Sequence, residues 1–277
     1  MCEELMKDAW EMLAVAGISK DTFWHSLISW REYEGKVMTD RYGVKYSADG
    51  ECLVNASGCT AQEYTLDSGV KYIAGRAFES SNIKKLHLPD SVVAFGMDVF
   101  GFSQIVEVNL PKSLRYIPYV NPFASCSTVK KVTSDSPLFI VKDGLLLSCD
   151  GETLYGAVTD EYPSELTLPD GLKRIANGAF HERKQLLSVY IPDSVTQMGC
   201  GCFFKSGLLR VRLSPNCKEI PEESFADCPL KEVEIPKGVE VIEDGAFNNC
   251  VNLVRVKKPR TLKSVGLDAF SGCKCKG

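Results

Sequence analysis

Twelve cysteines and three histidines carry the most reactive side-chain atoms of this 277-residue chain. Thiolates and imidazoles hold zinc or attack carbonyl carbon, so their spacing is the first test for chemistry. Two close cysteine pairs occur, Cys200-x-Cys202 and Cys273-x-Cys275. Structural zinc sites usually separate such pairs by about two to four residues, and no histidine lies near either pair. His25, His87 and His181 have no cysteine or serine with an acid at a recognisable spacing, so no hydrolytic triad is read. Glycine-rich phosphate loops do not occur. The sequence therefore points to no enzyme, no cofactor and no metal. Asn55-Ala56-Ser57 is a glycosylation sequon.

The cysteines follow a different logic. Phenylalanine recurs at 78, 100, 123, 180, 203, 225, 247 and 270, with spacings of 22, 23, 57, 23, 22, 22 and 23. Three residues after each stand Ser81, Ser103, Cys126, Arg183, Ser206, Cys228, Cys250 and Cys273. Serine and cysteine interchange at one register, which calls for a small, weakly polar side chain inside a turn. These cysteines are expected as buried, reduced thiols that pack like small hydrophobes.

The elements that carry this register can be read next. Eight residues before most of these phenylalanines sits an apolar anchor, as at Val70, Val92, Leu172, Val195, Val239 and Leu262. Leu114 stands nine before its phenylalanine, and Cys217 takes the anchor position before Phe225. Five or six residues after each phenylalanine a Leu-x-x-Val-x-Ile type stretch begins, with period-two alternation at its end, and reads as a short strand. Pro89, Pro111, Pro192, Pro236 and Pro259 then end the ladder, because proline has no N–H to donate. About 22 residues hold one strand and one return arc, leaving no room for a long helix. Such a unit cannot bury its own apolar side, so neighbours must stack.

Ile191-Pro192-Asp193-Ser194-Val195, Ile242-Glu243-Asp244-Gly245-Ala246-Phe247 and Phe247-Asn248-Asn249-Cys250 carry a resemblance to the BspA-like leucine-rich repeat family. The resemblance covers roughly residues 66–273. It implies a right-handed leucine-rich repeat solenoid, mainly β, used for binding and often displayed on microbial surfaces. Ser134 and Asp135 depart from the Ile-Pro pair in the third repeat, and Lys257-Lys258 enters the last strand.

The 57-residue gap holds Asp143-Gly144 and Asp150-Gly151 between apolar runs, a hairpin signal. Asp49-Gly50 lies 101 residues before Asp150-Gly151, and Phe78 lies 102 before Phe180. A larger unit, hairpin plus repeats, therefore occurs twice. The expected organisation is a helical N-terminal cap over 1–34, a hairpin-type entry module over 35–65 and a first repeat block over 66–134. A hairpin insert over 135–165 and a second repeat block over 166–277 follow. The cap rests on Leu5, Ala9, Met12, Leu13 and Ala16 at helical spacing, with Asp21 opening a second helix.

Composition narrows the function. Hydrophobic residues make up 44% and charged residues 25%, excluding a disordered, collagen-like or coiled-coil chain. The net charge of −4 argues against nucleic-acid binding. No apolar run is long enough to span a bilayer, so no membrane insertion is expected. Acidic Glu3 and Glu4 stand where a signal peptide would be basic, which reads as cytoplasmic as the sequence stands. The family resemblance implies a secreted or cell-surface protein instead.

The strand face is the expected contact area. Its outward residues are Lys85 and His87, Glu107 and Asn109, Lys131 and Thr133, Ser188 and Tyr190, and Arg210 and Arg212. Further on, rows Arg210–Glu232–Arg255 and Arg212–Glu234–Lys257 alternate in sign, a self-neutralising ladder. The preceding strands are expected to lack such pairing and to offer a mixed polar strip to a partner, with Tyr190 as anchor. The function expected is a non-catalytic scaffold for protein–protein or protein–glycan binding, of adhesion or host-interaction type by resemblance. An intracellular regulator that works through its N-terminal helices is the alternative, and a thiol or metal protein a weaker one.

Overall fold

The computed structural model describes residues 30–33 and 35–275. The helical cap expected over 1–34 lies almost wholly outside the described residues, which include of it only the 3-10 turn Trp30–Glu32 and Tyr33. No α-helix occurs among the described residues, and none of their helices is long and apolar enough to cross a membrane. The chain divides into two compact units, Met1–Val141 and Lys142–Gly277.

Each unit is a β-solenoid. In the first, Glu63–Thr65, Lys85–His87, Glu107–Leu110 and Lys131–Ser134 form a parallel four-stranded sheet. In the second, Glu165–Thr167, Ser188–Tyr190 and Arg210–Arg212 pair in parallel, as do Glu232–Glu234 and Arg255–Lys257. The central residue of each strand points inward, so Leu86 pairs with Val108 and Val189 with Val211.

The sequence reading leaves the return arc irregular, but the structure gives it a second, two-residue strand. Tyr72–Ile73 pairs with Ala94–Phe95, Arg174–Ile175 with Gln197–Met198, and Glu219–Ile220 with Val241–Ile242. The physical reason is the buried backbone of the arc, whose N–H and C=O groups need partners. The prolines act as expected. The anchor N–H closes a tight turn on the proline carbonyl, as in Leu114 to Pro111 at 3.0 Å and Val195 to Pro192 at 3.1 Å.

The phenylalanines form the core of each unit. Phe78, Phe100, Phe123, Phe180, Phe203, Phe225 and Phe247 are fully buried. In the second unit their rings stack almost parallel, Phe180 on Phe203 at 5.2 Å, Phe203 on Phe225 at 5.3 Å and Phe225 on Phe247 at 5.2 Å. In the first, Phe78 stacks on Phe100 at 5.5 Å and Phe100 on Phe123 at 4.7 Å. Backbone bonds run beside the rings, since Phe225 N–H donates to the Ala246 carbonyl and Phe247 N–H to that of Ala269.

The turn around each ring has a fixed cost. Two residues before the phenylalanine the backbone is left-handed at Arg76, Asp98, Gly178, Gly201, Glu223, Gly245 and Asp268. Two residues after it, Ser80, Phe102, Ser125, Glu182, Lys205, Asp227, Asn249 and Gly272 are left-handed as well. Only glycine takes this conformation without a Cβ penalty.

The two hairpin modules match in detail. Ser47 Oγ donates to Asp49, while the Glu51 and Cys52 N–H groups donate to Asp49 and to Ser47 Oγ. Ser148, Asp150, Glu152 and Thr153 repeat the same three bonds. The modules differ inside. The first buries a hydrogen-bonded chain, Tyr46 Oη to Tyr64 Oη at 2.5 Å and Tyr64 Oη to Asp40 at 2.6 Å. The second buries Leu147 and Leu166 at the corresponding places.

Two outcomes test this account. Phe247→Ala should cost about 3–5 kcal/mol in denaturant unfolding, as for other buried aromatic truncations. A loss no larger than that of exposed Lys237→Ala would show that the ring column is not the core. Glu182→Gly should stabilise by about 0.5–1 kcal/mol, the left-handed penalty less the extra entropy of glycine. A destabilised variant would contradict the strain assigned to this position.

Candidate functional site

The turn cysteines lie inside each unit. Cys126, Cys228 and Cys250 are buried. Cys228 Sγ donates to the Phe203 carbonyl at 3.0 Å, Cys250 Sγ to that of Phe225 at 3.1 Å and Cys273 Sγ to that of Phe247 at 3.2 Å. Each thiol thus binds the backbone beside the preceding ring. Ser206 Oγ lies 3.3 Å from Cys228 Sγ, and Ser103 Oγ 3.5 Å from Cys126 Sγ, which explains why the two residue types interchange. Burial pushes Cys228 up to about 11 and Cys52 up to about 12, and moves Cys250 in the same direction. These are protonated structural thiols, the opposite of an activated nucleophile. Arg183 fills the same register and donates to the Ala157 carbonyl at 2.9 Å.

The other candidates for chemistry separate in space or in function. Asn55 of the sequon is buried, and its Oδ1 accepts the Ser57 N–H at 2.6 Å. His181 packs edge-on against Phe204 at 5.0 Å. Among the described residues, no group of three or more His, Cys, Asp or Glu side chains could hold a metal ion.

The outward strand residues stand where the alternation puts them. On the first unit, Lys85, His87, Lys131 and Thr133 are exposed, with Glu107 and Asn109 partly so. The expectation that this strip lacks internal pairing is corrected by the structure. Glu63 accepts His87 Nε2 at 2.8 Å and faces Lys85 Nζ at 3.4 Å. Both neighbours hold its carboxyl below the usual range, His87 the more strongly. Lys131 bonds Glu107 at 2.9 Å. Asn109 donates to Asp135 at 2.7 Å and accepts from Thr133 Oγ1 at 2.7 Å. Sequence reasoning missed Glu63 because no phenylalanine precedes its strand. The out-in-out alternation of Glu63-Tyr64-Thr65 was the available signal.

The second unit departs in another way. Glu232 pairs with Arg255 at 3.0 Å and Glu234 with Lys257 at 2.5 Å, as the sign alternation requires. Arg210 and Arg212 do not extend those rows. Arg210 reaches across the intervening strand to Glu165 at 2.7 Å, and Arg212 pairs with Asp193. The Arg212 guanidinium also lies 4.6 Å over the Tyr190 ring and donates to the Ile191 carbonyl at 2.7 Å. Tyr190 remains 43% exposed. Leu187, one residue before the strand Ser188–Tyr190, is 40% exposed, and Leu209, whose N–H bonds its carbonyl, is partly exposed. The sequence reading took only the first leucine of Leu186-Leu187 and Leu208-Leu209, the inward one, and so missed this rim.

A family model described as BspA type leucine rich repeat region matches residues 56–155 and 160–276 in six copies. No curated protein matches. Among solved structures, a leucine rich cell surface protein from Faecalibacterium prausnitzii is similar at 31% identity and a TM-score of 0.69. That match covers 77% of this chain and 57% of the other. A leucine-rich repeat protein from Eubacterium ventriosum shares the fold at 17% identity and a TM-score of 0.57, covering 81% of this chain and 79% of its own. The pneumococcal vaccine antigen PcpA does so at 16% and 0.53, covering 88% of each chain.

The thiol environment has a pH signature. In the unfolded chain Cys228 titrates around the ordinary thiol value of 9, and well below that pH it is neutral both folded and unfolded. Above it, the unfolded chain loses protons that buried Cys228 keeps until about pH 11. Stability should therefore fall as pH rises from 9 toward 11, by roughly 1 kcal/mol per pH unit for each such thiol. Cys228→Ser should flatten that slope in denaturant melts, since serine occupies this register natively. An unchanged slope would mean that the thiol ionises as readily folded as unfolded.

Proposed function

The chain belongs to the BspA-type leucine-rich repeat family, and from that premise we propose that it is a non-catalytic scaffold that binds a partner protein or glycan. Contact runs through the outward side chains of the strands. On the first unit these are Lys85, His87, Glu107, Asn109, Lys131 and Thr133. On the second they are Ser188, Tyr190, Arg210 and Arg212. The role is of adhesion or host-interaction type, in keeping with the similar cell-surface protein and vaccine antigen.

One observation carries this reading. The face of the second unit presents an aromatic ring, Tyr190, exposed and already oriented by Arg212, on a surface where charges answer one another. A tyrosine so held loses little side-chain entropy on contact, which is what interface anchors require. Exposed ion pairs beside it are worth about 0–1 kcal/mol each and serve alignment more than affinity. Nothing in the repeat itself needs an outward tyrosine, since the inward Val189 supplies the core contact of that strand.

Site-specific photo-crosslinking tests the face. A photoreactive residue at position 190 should yield partner adducts, and one at exposed Glu182, in the turn beside Phe180, should not. Adducts from 182 alone would place the partner on the turn side and refute the strand-face reading. In binding assays with the partner so found, Tyr190→Ala should weaken affinity more than Glu234→Arg, with melting temperature unchanged.

A further inference from the structure

We infer that the free edge of the first hairpin module, the strand Val37–Thr39, is a docking site for an extended, acidic segment of a partner protein, which joins the sheet as a further strand. This strand closes a five-stranded sheet, in which Val37–Thr39, Lys45–Ser47, Cys52–Asn55, Tyr72–Ile73 and Ala94–Phe95 follow one another. It pairs antiparallel with Lys45–Ser47, Val37 opposite Ser47 and Thr39 opposite Lys45, and no strand of the described residues lies on its other side. The described residues that precede it are held elsewhere. Trp30 N–H donates to the Gly75 carbonyl, and Arg31 donates to Glu79.

The backbone decides what this edge offers. In an antiparallel pair, residues bonded to the neighbouring strand alternate with residues whose N–H and C=O point away from it. Asp40 N–H donates to the Val44 carbonyl at 2.9 Å, so Asp40 and, two residues back, Met38 face the neighbour. The N–H and C=O groups of Val37 and Thr39 then point outward, a template for strand addition. All three side chains are exposed, Val37 at 43% and Met38 at 51%. The matching strand of the second module, Phe139–Lys142, is closed down instead. Phe139 is buried there, and its carbonyl accepts Ser134 Oγ at 2.8 Å.

Charge selects the occupant. Lys45 stands opposite Thr39, hence on the face of Thr39 and Val37, and Lys36 leads directly into the strand. Both lysines are exposed, and among the described residues neither forms an ion pair. Lys85, Lys131 and Lys257 on the repeat strands each face a carboxylate. The carboxylate beside the edge, Asp40, is consumed by the Tyr42 and Val44 N–H groups and the Tyr64 hydroxyl. A second copy of this strand would bring lysine against lysine, so the edge repels its own kind. An incoming strand with Asp or Glu side chains complements the lysines, while its apolar side chains cover Val37 and Met38.

A random peptide library displayed on phage provides the probe. It is selected on the full chain and counter-selected on Val37→Pro, which removes one outward N–H and leaves the bonds to Lys45–Ser47 in place, as a melt checks. Recovered peptides should be net acidic and free of proline at their centre. By fluorescence polarisation, their affinity should fall at least about tenfold with Val37→Pro and with Lys36→Glu plus Lys45→Glu, and several-fold from low to high salt. The charge reversal leaves the backbone untouched and keeps the test decisive if the proline variant fails to fold. Tyr190→Ala should change nothing, because this edge shares no residue with the strand face and the two readings stand or fall separately. Edge-dependent peptides that carry no net negative charge would overturn the acidic assignment. Recovery of no peptide that either variant weakens, or a dimer in sedimentation that Val37→Pro disperses, would overturn the docking edge.

Discussion

A repeat of 22 or 23 residues has two apolar sides and no second layer of its own, and the stacked phenylalanine is how this chain resolves that. Each interior ring of the second unit, Phe203, Phe225 and Phe247, is covered above and below by the rings of its neighbours at 5.2–5.3 Å. Parallel strands stand about 4.8 Å apart. The ring column and the backbone ladder are thus nearly commensurate, and one spacing serves both. The inserted residue of a 23-residue repeat is absorbed in the arcs, so the column is not interrupted. Every outward side chain inherits the same spacing, which is why charges on adjacent strands meet at bonding distance.

The turn around the ring shows what that packing outweighs. Arg76, Asp98, Glu223 and Asp268 accept left-handed backbone where Gly178, Gly201 and Gly245 take it freely. A non-glycine residue there loses about 1–2 kcal/mol. A buried phenylalanine contributes more than that, so the geometry is kept whichever residue occupies the position. The close approach of neighbouring repeats acts in the same direction. A Cβ on Gly238 would overlap the Pro215 carbonyl, so the corner after Pro236 has no room for a side chain.

What could be read from the sequence follows from this hierarchy. The phenylalanine register, the inward Val189, Val211 and Val233, and the turn thiols were legible because they recur at a fixed offset. The two-residue strands such as Arg174–Ile175 were not, because two residues carry no measurable alternation and form to satisfy the backbone. Glu63 and Glu165 were hidden by the missing phenylalanine before their strands. The partner of Arg210 was hidden for a different reason. A long side chain on a ladder can turn to either side, and Glu165, two strands back, competes with Glu232 on the other. Alternation predicts that pairs form, while the choice between neighbours depends on side-chain reach.

The duplicated hairpin-and-repeat unit separates what the fold requires from what it leaves open. Both copies keep the Ser–Asp bonds of the hairpin, and both keep the ring column. The interior already admits two solutions, since Tyr46 and Tyr64 with Asp40 do in one copy what Leu147 and Leu166 do in the other. A buried phenol pair must satisfy its hydroxyls, whereas a leucine pair has none to satisfy, so the first solution fixes the loop at Asp40 and the second does not need to. Divergence is wider outside, where no packing constrains it. Lys84 and Lys130 border one strand face, and Leu187 and Leu209 the other, on strands that pair in parallel in both units. The core sets where these side chains stand, and the difference in what they are gives the two units surfaces of different chemistry.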